Sequence, residues 1–186
     1  SWDTNGNLTS DGSTTFGYDT ENRLVSASGA KNATLTYDPL GRLYQVTSGG
    51  VTTRFVSDGD RLIAEYNTAG TVQRRYVHGA AVDEPLVWYE GSAVSAATRR
   101  YLHADHQGSI IATSNAAGAK QDLGSYDAYG VTTAPSTWRF QYTGQAAIPQ
   151  LGLYYYKARF YSPALGRFMQ TDPIGYEDQV NLYAYV

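Results

Sequence analysis

The sequence predicts an all-β fold: a spiralling antiparallel sheet made of consecutive hairpins, with little or no helix. Three observations carry this. A Tyr-Asp unit recurs along the chain at a fixed spacing, and 19 glycines and 17 tyrosines are combined with only 17% charged residues. No stretch sustains the apolar period of a helix. Tyr and Thr suit pleated, half-buried surfaces, while Gly supplies the positive φ of tight reversals. With charge well below the roughly 25% of an ordinary globular chain, solvated faces must rely on Thr, Ser, Asn and Gln.

The repeat opens as Trp2-Asp3-Thr-Asn-Gly6-Asn7-Leu8 and returns as Tyr18-Asp19-Thr-Glu-Asn22-Arg23-Leu24. It recurs 19 residues later as Tyr37-Asp38-Pro-Leu-Gly41-Arg42-Leu43, and a weaker copy follows at Asp58-Gly-Asp60-Arg61-Leu62. The motif Arg74-Arg75-Tyr76-Val77-His78 is echoed by Arg99-Arg100-Tyr101-Leu102-His103. Looser units are Tyr126-Asp127-Ala128-Tyr129-Gly130 and Tyr161-Ser162-Pro-Ala-Leu-Gly166-Arg167-Phe168. In the clearest copy, Leu35 and Tyr37 share one strand face and Thr34 and Thr36 the other. Asp38-Pro39-Leu40-Gly41 fits a type I turn, with Asp first, Pro second and Gly fourth, and residues 42–47 form the returning strand. A lone hairpin is marginal in water, so the units must pair edge to edge. A short helix is admitted only at residues 178–186.

Several chemistries are disfavoured. The absence of Cys excludes disulfides and thiolate metal sites. A net charge of −3 argues against a nucleic-acid partner, and no apolar run approaches a membrane span. His103-Ala-Asp105-His106 is read as hydrogen-bonding at a strand end, because a metal needs three or four converging ligands. Asp58-Gly-Asp60 is read as a degenerate repeat turn and not a calcium loop, since Arg61 and Leu62 stand where ligands should follow. No metal and no cofactor is expected. The tyrosines are assigned to packing between hairpins. The Arg pairs are assigned to cross-strand ion pairing, one residue of each pair facing in and one out.

The tandem Tyr-Asp…Asn/Gly-Arg-Leu units resemble the YD repeats of Rhs proteins. Tyr101-Leu-His103-Ala-Asp105-His106-Gln-Gly108-Ser109 with Tyr126-Asp-Ala-Tyr-Gly130 resembles the approach to the Rhs-associated core. Leu151-Gly-Leu-Tyr-Tyr-Tyr-Lys-Ala-Arg159-Phe-Tyr161, Gly166-Arg167-Phe168-Met-Gln-Thr-Asp172-Pro173-Ile-Gly175 and Asn181-Leu-Tyr-Ala-Tyr185 resemble that core itself. On this basis residues 1–100 are assigned to hairpin repeats and residues 101–186 to the associated core, cut short at its C-terminus.

The resemblance implies a β-shell, secreted or displayed at the cell surface, that encloses a C-terminal toxin and releases it by aspartic-type self-cleavage. Its partners are then the toxin cargo and the remaining shell repeats of the parent chain. By motif position the resemblance assigns catalysis to Arg159 and Asp172. The logic is that paired carboxylates split into acid and base while a guanidinium stabilises developing charge. The sequence stops before a second Asp-Pro-x-Gly and before a scissile bond, so self-cleavage is not expected of these 186 residues alone. Asp172-Pro-Ile-Gly175 also has the turn chemistry of Asp38-Pro-Leu-Gly41, a purely structural alternative. A further alternative is an adhesion or carbohydrate-recognition module without processing. Both ends fall in mid-pattern, which suggests an excised fragment with an open strand edge near Trp2 to Leu8, available for self-association.

Overall fold

The computed structural model describes residues 1–133, 137–177 and 180–185. Apart from one 3-10 turn at Tyr142–Gly144, its regular elements are β-strands in antiparallel pairs. Two compact units divide the chain: Ser1–Val51 with Ala147–Val186, and Thr52–Ala146.

In the first unit β1 (Thr14–Tyr18), β2 (Leu24–Gly29), β3 (Ala33–Tyr37) and β4 (Leu43–Ser48) pair in sequence order. The alternation expected in β3 is present: Ala33 and Leu35 are buried, Thr34 and Thr36 exposed. β3 meets β4 with Leu35 opposite Val46 and Thr34 opposite Thr47. The register slips by one residue at Gly17/Tyr18 and again at Thr36/Tyr37, just before each turn. The cause is the fourth turn position, where Asn22 (φ 60°) and Gly41 (φ 80°) are left-handed. A type I turn followed by such a residue produces a one-residue bulge on the returning strand. The C-terminal part of this unit contributes β12 (Ala146–Ile148), at the unit boundary, then β13 (Leu153–Tyr156), β14 (Arg159–Ser162) and β15 (Arg167–Phe168). Leu24, Leu35, Leu43, Ile148, Leu151, Phe160 and Tyr161 are all buried.

In the second unit β5 (Val51–Asp58), β6 (Arg61–Tyr66), β7 (Val72–His78), β8 (Pro85–Glu90), β9 (Arg99–Ala104), β10 (Ile110–Asn115) and β11 (Lys120–Leu123) again pair consecutively. Phe55, Tyr76, Trp88, Leu102 and Ile110 are buried, as are Trp138, Phe140 and Tyr142 of the segment after β11. Asp58 faces Arg61 across the β5–β6 reversal, which is therefore tighter than the full repeat turn.

Two expectations are corrected. The edge at Trp2 to Leu8 is not open: Leu8 donates its amide to Met169 O at 2.8 Å, and its carbonyl accepts the Tyr18 hydroxyl at 2.8 Å. Tyr183 donates to Gly6 O at 2.9 Å, and its ring stands 4.7 Å from that of Trp2. Met169 and Tyr183 of the core region thus take up the Leu8 amide and the Gly6 carbonyl, groups that a cut sheet would leave bare. The helix admitted at residues 178–186 is absent from the described residues 180–185, which form turns and extended chain; residues 178, 179 and 186 lie outside the described residues. Asn181 explains the turn, because its Oδ1 takes the Tyr183 amide at 3.1 Å and competes with helical bonding.

Candidate functional site

Each repeat turn is organised by its first residue. Asp38 Oδ1 accepts the amides of Leu40 (2.9 Å) and Arg42 (3.0 Å), and Oδ2 accepts Arg42 Nε at 2.7 Å. Asp19 does the same with Glu21 and Arg23, taking Arg23 Nε at 2.8 Å. The two-amide grip of Oδ1 recurs at Asp3, Asp105, Asn115 and Asp127. Burial opposes ionisation of Asp19 and Asp38, but the amide and arginine hydrogen bonds outweigh it and hold both carboxyls below the usual range. Arg23 also lies over the Tyr37 ring, 5.0 Å from its centroid.

The tyrosines of the repeat do more than pack. Tyr18 donates to Leu8 O at 2.8 Å, Tyr37 to Leu24 O at 2.6 Å and Tyr126 to Ile110 O at 2.8 Å. Every acceptor is the fifth residue after a turn Asp, so each hydroxyl clamps one repeat to the one before. His78 Nε2 takes that role on Leu62 O at 2.8 Å, which makes Nε2 the protonated nitrogen. Burial pushes the Tyr18 and Tyr37 hydroxyls well above their ordinary pKa, and that of Tyr126 up to about 12.

Against this pattern Asp172 stands out. Its Oδ1 accepts the Ile174 amide at 3.1 Å, Gly175 donates to its carbonyl at 3.0 Å, and Gly175 has φ 72°. This is the Asp38-Pro39-Leu40-Gly41 turn again, with Pro173 in the second position. The fourth residue after the Asp, where Asp19 and Asp38 have an arginine, is here Tyr176, so the turn brings no arginine of its own. Arg159 on β14 replaces it, with Nη2 2.5 Å from Asp172 Oδ2 and the two side chains only 14% and 7% exposed. The Arg159 guanidinium sits 3.8 Å from the Phe168 ring centroid and donates from Nη1 to Leu182 O at 3.2 Å. The structure therefore brings the two carried-over residues together. Gly166 (φ 62°) and Arg167 belong to the β14–β15 reversal, where Ser162 faces Arg167 in place of a turn aspartate. A guanidinium packed on a ring and locked to a carboxylate is a preorganised charge pair that fixes the position of both groups.

A second buried ion pair was not foreseen. Arg139 grips Glu65 through Nε–Oε1 and Nη2–Oε2, both 2.8 Å, with the residues 8% and 3% exposed. The Tyr76 hydroxyl donates to the same carboxylate, and Phe55 lies beneath the guanidinium. Burial alone would neutralise Glu65, but Arg139 and then Tyr76 hold it ionised with a lowered pKa; Arg139 is raised in turn. Glu65 sits on a half-polar strand and Arg139 is 74 residues away, so spacing gave no signal.

The remaining sequence candidates have local roles. His103 Nε2 meets Ser114 Oγ at 2.8 Å, and Asp105 serves its own turn. Among the described residues no group of three or more His, Cys, Asp or Glu could hold a metal ion. Arg74 pairs with Glu90 across β7 and β8 at 3.4 Å, as expected. Arg75 instead donates to Ser92 O, and Arg99 donates to the hydroxyls of Tyr89 and Tyr101. Ion pairing thus accounts for only part of the arginine set.

Residues 1–185 match the Teneurin YD-shell family. The chain belongs to that family. Among curated relatives, the tRNA nuclease WapA of Bacillus subtilis strain 168 is 33% identical over 185 residues, covering 93% of this chain and 8% of WapA. The double-stranded DNA deaminase toxin A of Burkholderia cenocepacia is 30% identical over 204 residues, covering 91% of this chain and 14% of the toxin. Among solved structures, TcdB2-TccC3-Cdc42 superposes with a TM-score of 0.74 at 20% identity, covering all of this chain and 10% of that one. The Photorhabdus luminescens Tc holotoxin pore gives 0.76 at 19% identity with the same coverage. The YD-shell assignment accounts for the meander of hairpins, and the chain spans a small part of the length of each relative. Among the described residues no helix is long and apolar enough to cross a membrane.

Proposed function

We propose that this YD-shell chain serves in a parent protein as part of a container for a C-terminal toxin, with residues 1–100 as wall and residues 101–186 as the associated core that closes it. In that reading the parent is secreted or displayed at the cell surface, and Arg159 and Asp172 take part in aspartic-type release of the cargo. The supporting observation is the diverted repeat turn: Asp172 Oδ2 receives Arg159 from a separate strand and is nearly buried. The turns at Asp19 and Asp38 take an arginine of their own, whereas the Asp172 carboxylate takes one from another strand. WapA is a nuclease and deaminase toxin A a toxin by name, and this supports the toxin reading.

The test is intact mass of the parent protein, wild type against Asp172→Asn. Asn can keep the bond from the Ile174 amide to Oδ1, as Asn115 keeps its own amide bonds, so the turn survives while the charge is lost. Two fragments from the wild type and one from the variant are expected. Two fragments from both would remove Asp172 from the reaction. An uncut wild type would favour the adhesion alternative.

A further inference from the structure

The repeat supplies an internal template for a cation-binding socket. At Asp19 the Arg23 guanidinium lies between the Asp19 carboxylate, 2.7 Å away, and the ring of Tyr37, the tyrosine that clamps this repeat. The same three positions recur at Asp105, Ser109 and Tyr126. Asp105 makes the same turn, and Tyr126 makes the same clamp, onto Ile110 O. The arginine position is now Ser109, whose short side chain is buried and accepts the Thr143 amide at 3.0 Å. Asp105, Ser109 and Tyr126, the residues at these three positions, together border a cavity of about 590 Å³.

The cavity is framed for a cation on its other side as well. Asp127 lines it, and its turn also has a non-basic residue, Val131, at the arginine position. Tyr142 adds a second ring, 5.9 Å from Tyr126. No lysine or arginine is among the lining residues, so two aspartates line the space with no lining cation. The Oδ1 atoms of both aspartates are committed to backbone amides, which leaves each Oδ2 oriented by its turn.

We propose that this cavity is a docking socket for an arginine side chain from another polypeptide segment, which restores in trans the guanidinium the repeat has lost. The chemistry is that of Arg23 on Asp19 and Tyr37: a charge-assisted bond to a carboxylate oxygen and a stacked contact with a tyrosine ring. The site is independent of Arg159 and Asp172, so it stands whether or not the parent cleaves itself.

The test is an NMR titration of the full chain with a short blocked peptide, acetyl-Gly-Arg-Gly-amide, against its citrulline counterpart. Saturable shifts at the Asp105–Ser109 amides and the Tyr126 ring are expected with arginine and not with citrulline. Asp105→Asn should weaken binding about tenfold, the scale of one charge-assisted hydrogen bond. Asn115 and Asn67 show that Asn is accepted at this turn position, so the variant should fold. Equal shifts with citrulline, no saturable shift, or undiminished binding by the variant would each overturn the proposal.

Discussion

At the residue scale the repeat turn is a side-chain device. One carboxylate oxygen replaces the amide partners that a sharp reversal would otherwise leave to water, and the other oxygen holds the returning strand through arginine. Asp38→Ala should therefore cost about 1–2 kcal/mol, whereas Asp38→Asn, which keeps the amide bonds, should cost less than about 1 kcal/mol. Urea denaturation of the two variants checks this ranking. The same groups set the pH response. Asp3, Asp11, Asp19, Asp38 and Glu65 are all depressed on folding, so their stabilisation is present above about pH 4 and is lost as pH falls through the lowered values. Tyr18, Tyr37 and Tyr76 are raised, so their contribution is complete below pH 10 and is lost above it. Melting temperature against pH should show a plateau between those limits. Continued rise below pH 4 would contradict the assignment.

At the scale of elements, the clearest strands were legible because β1, β3 and β9 are short and each runs into an Asp-x-x-Asn or Asp-x-x-Gly turn. The one-residue register slips follow from the same turns and needed no tertiary information. The docking of residues 138–145 was not legible. Trp138, Arg139, Phe140 and Tyr142 are buried in succession, which no strand or helix period encodes. The Arg139–Glu65 pair fixes that docking, and removing one partner leaves a desolvated charge. Glu65→Gln should destabilise the chain by about 3–5 kcal/mol, read as a lower denaturation midpoint. A change below about 1 kcal/mol would mean that the segment is held by its aromatic residues alone.

At the scale of the whole molecule, the N-terminal edge shows how distant segments finish a repeat array. The backbone of Gly6 and Leu8 is satisfied by Tyr183 and Met169, more than 160 residues downstream. Light scattering should accordingly find no association through this edge in the full chain. Removing residues 176–186 should introduce concentration-dependent association, because it uncovers Trp2, the Gly6 carbonyl and the Phe168 amide together. An unchanged molar mass for the shortened chain would show that the edge needs no cover. Arg159 and Asp172 follow the same logic. The sequence by itself determined the fold class, the turns and the tyrosine spacing, because the repeat is written in residues a few positions apart, while the candidate pair came from the resemblance to Rhs motifs. Only the tertiary structure decided that Arg159 meets Asp172, that Arg139 meets Glu65 and that Asp105 and Tyr126 border a space without an arginine. Those outcomes depend on which side chains converge across long loops, and chain spacing does not encode that convergence.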